Sequence, residues 1–182
     1  MREETLARIE SRLLAAPARA GGTRVLAIDG RSGSGKTRLG TELAARLEGA
    51  ALVQLDQLYP GWDGLAASVP LLVGGVLAPL SEGLPAGFER WDWQAGRPGP
   101  WQPVPAAAVL VVEGAGSGSR ACTRYLSMLV WLRAPAPFRH RRAMSRDGDS
   151  YAPHWRRWAD QEDRLFAAEG TRARADLVID TG

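Results

Sequence analysis

Apolar positions at the start of the chain follow a helical period. Residues 3–15, EETLARIESRLLA, place Leu6, Ile9, Leu13 and Leu14 on one helical face. A Gly-Gly pair at 21–22 ends that element. The period then changes: 24–29, RVLAID, is a short apolar run suited to a strand buried on both faces. Residues 36–48 return to helical spacing with Leu39, Leu43 and Leu47 inward, and 51–56, ALVQLD, read as a second strand. YPGWDG at 59–64 is turn-rich. Residues 65–83 predict a helix broken near its prolines and glycines. Strand-like aromatics begin at 88 and pass into a Pro/Gly loop that runs to 105. Further strands are predicted at 107–114, 127–134 and 175–180. A Gly/Ser loop and a helix through Tyr125 follow the first of these. Two helices precede the last, an arginine-rich one from 137 and one over 152–170 with Trp155, Trp158 and Leu165 on one face. Strands alternating with helices predict an α/β fold: a three-layer sandwich around a mainly parallel sheet of about five strands.

Composition narrows this picture. With 182 residues, 45% of them hydrophobic, the chain suits a single domain over 1–182 with a substantial core. The longest apolar stretch, 65–80, is interrupted by Gly74, Gly75 and Pro79, which argues against a membrane span. Residues 2–14 alternate charge with leucine, unlike a signal peptide, so a cytoplasmic location is expected. The net charge of +3, from 23 basic and 20 acidic residues, calls for neither a nucleic-acid nor a membrane partner. One cysteine, Cys122, permits no intrachain disulfide. Oligomeric state is not legible. Lysine occurs once, at Lys36; every other basic side chain is arginine, so a single arginine says little about function.

That lysine lies in GRSGSGKT, Gly30 to Thr37, which fits G-x-x-x-x-G-K-[ST] at each fixed position, between an apolar strand and an amphipathic helix. Gly30, Gly33 and Gly35 let the backbone form a nest of N–H groups directed at phosphate oxygens. The helix beginning near Lys36 adds its positive end. Lys36 supplies a compact point charge for the β- and γ-phosphates where a planar guanidinium would not fit equally. Thr37 offers a hydroxyl to Mg²⁺. The expected ATP-binding set is Gly30, Ser32, Gly33, Ser34, Gly35, Lys36, Thr37 and Arg38.

Two carboxylates stand where strands end. Asp56 closes the second strand, near the carboxyl edge where α/β sheets bind ligands, and could take a proton from an attacking hydroxyl or orient it; the lesser alternative is a loop-capping aspartate. Glu113 ends VLVVEG at 109–114 and could reach Mg²⁺ directly or through water.

AIDGRSGSGKT, LDQLYPGW, RWDW, VLVVEG, RHRRAMSRDGD and ADLVID come in the order of the uridine kinase-like branch of P-loop kinases. That branch also contains phosphoribulokinase and pantothenate kinase. The chain resembles it from about 24 to 180. The whole pattern is similar to actinobacterial uridine kinase-like proteins, whose substrates are commonly unassigned. The resemblance implies ATP-dependent phosphoryl transfer to a hydroxyl of a small molecule such as a nucleoside. It implies a catalytic role for Asp56 in an Asp-x-x-Tyr context ending at Tyr59, and places Trp91 and Asp92 beside the acceptor. It makes Glu113-Gly114 the family's Glu-Gly pair and Arg142 and Arg146 the lid arginines, with Arg139 and Arg141 as neighbouring candidates. The lid is expected over 139–154 and the acceptor-side insertion over 57–105. The chain departs from uridine kinases proper in lacking their longer acceptor-side insertions.

Four of the seven tryptophans, Trp62, Trp91, Trp93 and Trp101, fall within that insertion. They could stack on a base or close over a sugar, or form a small satellite core. Trp62 and Trp91 are the expected contacts, with Arg90 and Asp92 to fix polar groups. Trp155 and Trp158 are expected in the core. Other functions fit the loop as well: a partner-dependent ATPase without an acceptor, or a kinase acting on nucleic-acid ends. No added basic module supports the latter.

Overall fold

The computed structural model of the chain describes residues 3–182, apart from the Asp147 side chain. Helix α1 (Glu3–Ala15) forms where the spacing predicts it and buries Leu6, Ile9 and Leu13. Leu14 is 49% exposed, which corrects its placement on the inward face. It follows Leu13 by one position, about 100° around the helix.

Five parallel strands form the central sheet in the order β2-β5-β1-β6-β7: β1 (Arg24–Gly30), β2 (Ala51–Gln54), β5 (Val109–Glu113), β6 (Met128–Arg133) and β7 (Leu177–Asp180). Alternation along β1 explains its unbroken apolar run. Val25 and Ala27 enter one core, and Leu26 and Ile28 enter the other. α1 and α2 (Lys36–Arg46) cover the second core. α3 (Leu65–Leu72) and α6 (Trp155–Glu169) cover the first. The α2 helix ends at Arg46, short of 48, because Leu47 is extended while its N–H still caps Leu43.

The break expected in 65–83 is a change of pitch. α3, with Pro70 inside it, runs into a π turn over Val73–Leu77 and then α4 (Ala78–Ser81). The Pro/Gly stretch before 105 differs from expectation. It is a strand, β4 (Arg97–Val104), paired antiparallel with β3 (Ala86–Asp92) outside the main sheet. A two-stranded hairpin has two edges, so prolines without N–H donors are tolerated at Pro98, Pro100 and Pro103. The segment through Tyr125 is a 3-10 turn (Arg120–Tyr125) rather than an α-helix. Its Cys122 is buried, and burial pushes the thiol up to about 12, which leaves it a packing residue. Helix α5 (Ala136–Asp147) carries the arginine cluster. The short helix α7 (Thr171–Arg174) leads into β7.

Candidate active site

β1 lies between β5 and β6, where the order of strand connections reverses. A crevice opens at the carboxyl edge of a parallel sheet at such a point. The glycine-rich loop 30–37 emerges there and continues into α2. Gly30, Gly33 and Gly35 all have positive φ, at 143°, 76° and 95°. Gly33 has a second constraint: a Cβ there would collide with the Arg139 backbone, so α5 rests directly on the loop. Gly40 serves a similar purpose on α2, where an added Cβ would sit 3.1 Å from Glu113 Cγ. The helix can therefore lie close against the carboxylate.

Lys36 Nζ donates to the Arg31 carbonyl at 3.2 Å, so the side chain reaches across the loop. Three buried carboxylates surround it. Asp29 accepts hydrogen bonds from the backbone N–H groups of Gly30, Gly116 and Gly118 at 2.6, 3.1 and 2.9 Å. Burial pushes its carboxyl up to about 6, against those hydrogen bonds and the charge of Lys36. Burial also raises Glu113, with Lys36 the main opposing influence. Gln54 Nε2 donates to Glu113 at 3.1 Å. Glu162, on α6 and 1% exposed, accepts the Ser32 N–H at 2.6 Å and Trp158 Nε1 at 3.1 Å. Burial raises it too, and Lys36 again is the largest counterweight. Lys36 is thus the shared counter-charge of three acids.

Sequence reasoning singled out Glu113 and missed Asp29 and Glu162. A signal for Glu162 was available. It follows Trp158 by four positions, so it interrupts the apolar face of its own helix.

Lys36, Thr37, Asp56 and Glu113 line a pocket of about 170 Å³ over the loop. Its hydroxyl and carboxylate oxygens are donors of the kind Mg²⁺ takes. Among the described residues no group of three His, Cys, Asp or Glu side chains could hold an ion unaided. The residues therefore fit an ion completing its shell with phosphate oxygens and water. Asp56 lies in a 3-10 turn (Leu55–Gln57) just beyond β2 rather than within the strand. It is exposed toward the crevice, and its carbonyl accepts Trp93 Nε1 at 2.8 Å.

A second cavity, of about 610 Å³, adjoins the first. It shares Ser32, Lys36, Thr37, Asp56 and Arg146 with it and is walled by Tyr59, Trp62, Trp93, Tyr151 and Trp158. Trp62 stands at the centre of this aromatic wall. It stacks on His154 at 4.2 Å and on Tyr151 at 5.4 Å between centroids, and tilts against Trp93 at 4.8 Å. Trp62 and Trp93 thus belong to an aromatic cluster that is also the cavity wall. Tyr59 is buried, its hydroxyl donates to the Ala115 carbonyl at 3.0 Å, and Trp158 packs edge-on against it. Trp91, Arg90 and Asp92 do not line this cavity. Asp92 is turned to the hairpin, where it accepts the N–H groups of Gln94 and Ala95 at 2.9 Å each. Trp101 is 59% exposed. Trp93, Tyr151 and Trp158 take the places at the wall.

The arginines divide. Arg146 lines both cavities. Arg142 lines the loop pocket and donates to the Thr181 carbonyl at 2.6 Å. Arg139 packs beneath the loop and donates to the carbonyls of Ser32 and Ala134 at 3.2 Å each. Arg141 lies over Phe138, and Arg38 lines the loop pocket while pairing with Glu42. Tyr151, just beyond α5, donates to Ser32 Oγ at 2.8 Å, tying the segment after the arginines back to the loop.

No protein-family model matches the sequence, and no curated protein matches it either. Solved structures do. One described as a possible uridine kinase from Bacillus stearothermophilus superposes with a TM-score of 0.69 at 19% identity, over 99% of this chain and 100% of that one. A protein proposed as a fructose transport system kinase, from a Silicibacter species, superposes with a TM-score of 0.61 at 20% identity, over 96% and 98%. The chain shares the fold of both structures over nearly its whole length. In this fold the glycine-rich loop, α5 and the turn of the β3–β4 hairpin surround one crevice. No helix among the described residues is long and apolar enough to cross a membrane.

Proposed function

We propose that the chain is an ATP-dependent kinase that phosphorylates a hydroxyl of a small molecule, a nucleoside or a similar metabolite. The observation that carries this reading is the position of Asp56, which lines both the loop pocket and the adjoining aromatic cavity. A carboxylate opening onto a second, ring-lined chamber favours an acceptor larger than water.

In this reading the loop N–H groups and Lys36 hold the ATP phosphates. Asp56 orients the acceptor hydroxyl and takes its proton as the oxygen attacks the γ-phosphorus. The new P–O bond forms as the bond to the β,γ-bridging oxygen breaks, and ADP leaves with that electron pair. Arg146 faces both reactants and offsets charge on the transferring group. Mg²⁺, when bound beside Thr37 and Glu113, neutralises phosphate charge. The rings of Trp62 and Trp93 exclude water and offer faces to a base or sugar.

The test is an ATP-consumption screen across nucleosides, sugars, amino alcohols and vitamin precursors. Lys36→Ala is expected to abolish turnover. Asp56→Asn is expected to lower acceptor phosphorylation by about 10²- to 10⁴-fold while leaving ATP binding largely intact. Full activity in Asp56→Asn would sink the assignment of the base. ATP turnover that no acceptor increases, yet a protein stimulates, would replace the kinase by an ATPase.

A further inference from the structure

A cavity of about 950 Å³ lies at the carboxyl ends of β6 and β7, beside α6 and α7. None of its lining residues lines the loop pocket or the aromatic cavity. Its floor is apolar. Trp131 and Phe166 meet edge to face with centroids 4.7 Å apart, beside Pro135. Its rim is cationic, with Arg31, Arg133, Arg139 and Arg172 set against Asp163 and Asp180.

Two of those four guanidinium groups are already paired. Arg31 bridges to Asp163 at 2.5 Å and lies over the Phe166 ring, and Arg133 pairs with Asp180 at 3.1 Å. The other two make no direct ion pair among the described residues. Among the described residues Arg139 donates to main-chain carbonyls, and its burial disfavours its charge against the attraction of Glu162 and Asp163. Arg172 is exposed and its side chain has no partner among the described residues. An aromatic floor beside two guanidiniums that no carboxylate bonds directly suits a ring that carries an anion.

We propose that this cavity is a second ligand site, for a compound with one flat ring and one anionic group, and that it acts on the glycine-rich loop. The connection is physical. The Arg31 carbonyl accepts Lys36 Nζ, and Arg139 donates to the Ser32 carbonyl, so two rim residues also hold the loop. An anion on this rim offsets positive potential that the loop needs for phosphates, so the two ligands oppose one another.

The probes are AMP and phenyl phosphate, a nucleotide and a non-nucleotide source of the same chemistry. With the loop site saturated by Mg·AMP-PNP, equilibrium dialysis is expected to find one further equivalent of either probe per chain. The probe raises the Kd of AMP-PNP by about fivefold and then levels off. Arg172→Glu weakens the second equivalent by at least about tenfold and leaves AMP-PNP binding without probe unchanged. A single equivalent in total, a shift in Kd that grows without limit as in simple competition, or a second equivalent indifferent to Arg172→Glu overturns the proposal. Failure of AMP-PNP to bind at all counts against the proposed function instead. Phenyl phosphate alone, dialysed against the wild type and Arg172→Glu, then decides the cavity.

Discussion

Lys36 is the residue on which the site's electrostatics turn. Its retention in a chain that uses arginine everywhere else was legible from the loop motif alone. Its second role was not, because Asp29, Glu113 and Glu162 come from three distant segments and meet only around its ammonium group. Asp29 yields a test at this scale. Its folded carboxyl titrates near 6 against an ordinary value of 3.8. The folded state therefore holds the proton more tightly than the unfolded chain. That contribution to stability is complete below about pH 4 and is lost as pH rises through 6, a change of about 3 kcal/mol. Unfolding free energies of wild type and Asp29→Asn are expected to diverge by that order between pH 4 and 7, with the wild type losing relative to the variant. A constant difference across the range would show that Asp29 titrates normally. Carboxyl NMR of Asp29 gives the same midpoint directly.

At the scale of elements, α6 joins the two sides of the crevice. Glu162 accepts the Ser32 N–H, Trp158 lines the aromatic wall, and Gln161 Nε2 donates to the Trp62 carbonyl at 2.7 Å. Arg157 adds an ion pair to Asp63 in the same wall loop. Glu162→Ala leaves a loop N–H without its acceptor and is expected to cost about 1–3 kcal/mol of stability. Because the loss falls on the loop, AMP-PNP binding should weaken with it, whereas Glu162→Gln keeps an acceptor oxygen and recovers much of the affinity. Loss of stability with unchanged AMP-PNP affinity would confine Glu162 to packing. Gly33→Ala tests the contact between α5 and the loop. A side chain at φ 76° is strained, and its Cβ meets the Arg139 backbone. It is expected to abolish AMP-PNP binding in calorimetry while the far-ultraviolet spectrum keeps its helix and strand content.

At the scale of the molecule, the β3–β4 hairpin stands apart from the five-stranded sheet. Much of it is exposed, and it is stabilised by its own pairing and by contacts with the helical segment beneath it. Its amides are expected to exchange with solvent faster than those of β1, β5 and β6, whose residues are largely buried. Equal protection across both sheets would make the hairpin part of the same cooperative unit. The order of helices and strands, the two-faced burial of the main strands, the glycine-rich loop and the two acids at strand ends could all be read from the chain. Each follows from local period or from a motif with its own geometry. The hairpin could not, because prolines argue against a strand unless tertiary structure supplies an edge to hold them. Nor could the aromatic wall be read correctly. Trp93, Tyr151 and Trp158 replace Trp91 there because residues 57–105 and α6 fold against each other across a hundred positions of sequence. Local pattern fixes which segments pair with the backbone. Which side chains share a cavity, and which carboxylates share one lysine, is decided only when distant segments pack, since burial and Coulomb attraction act through space.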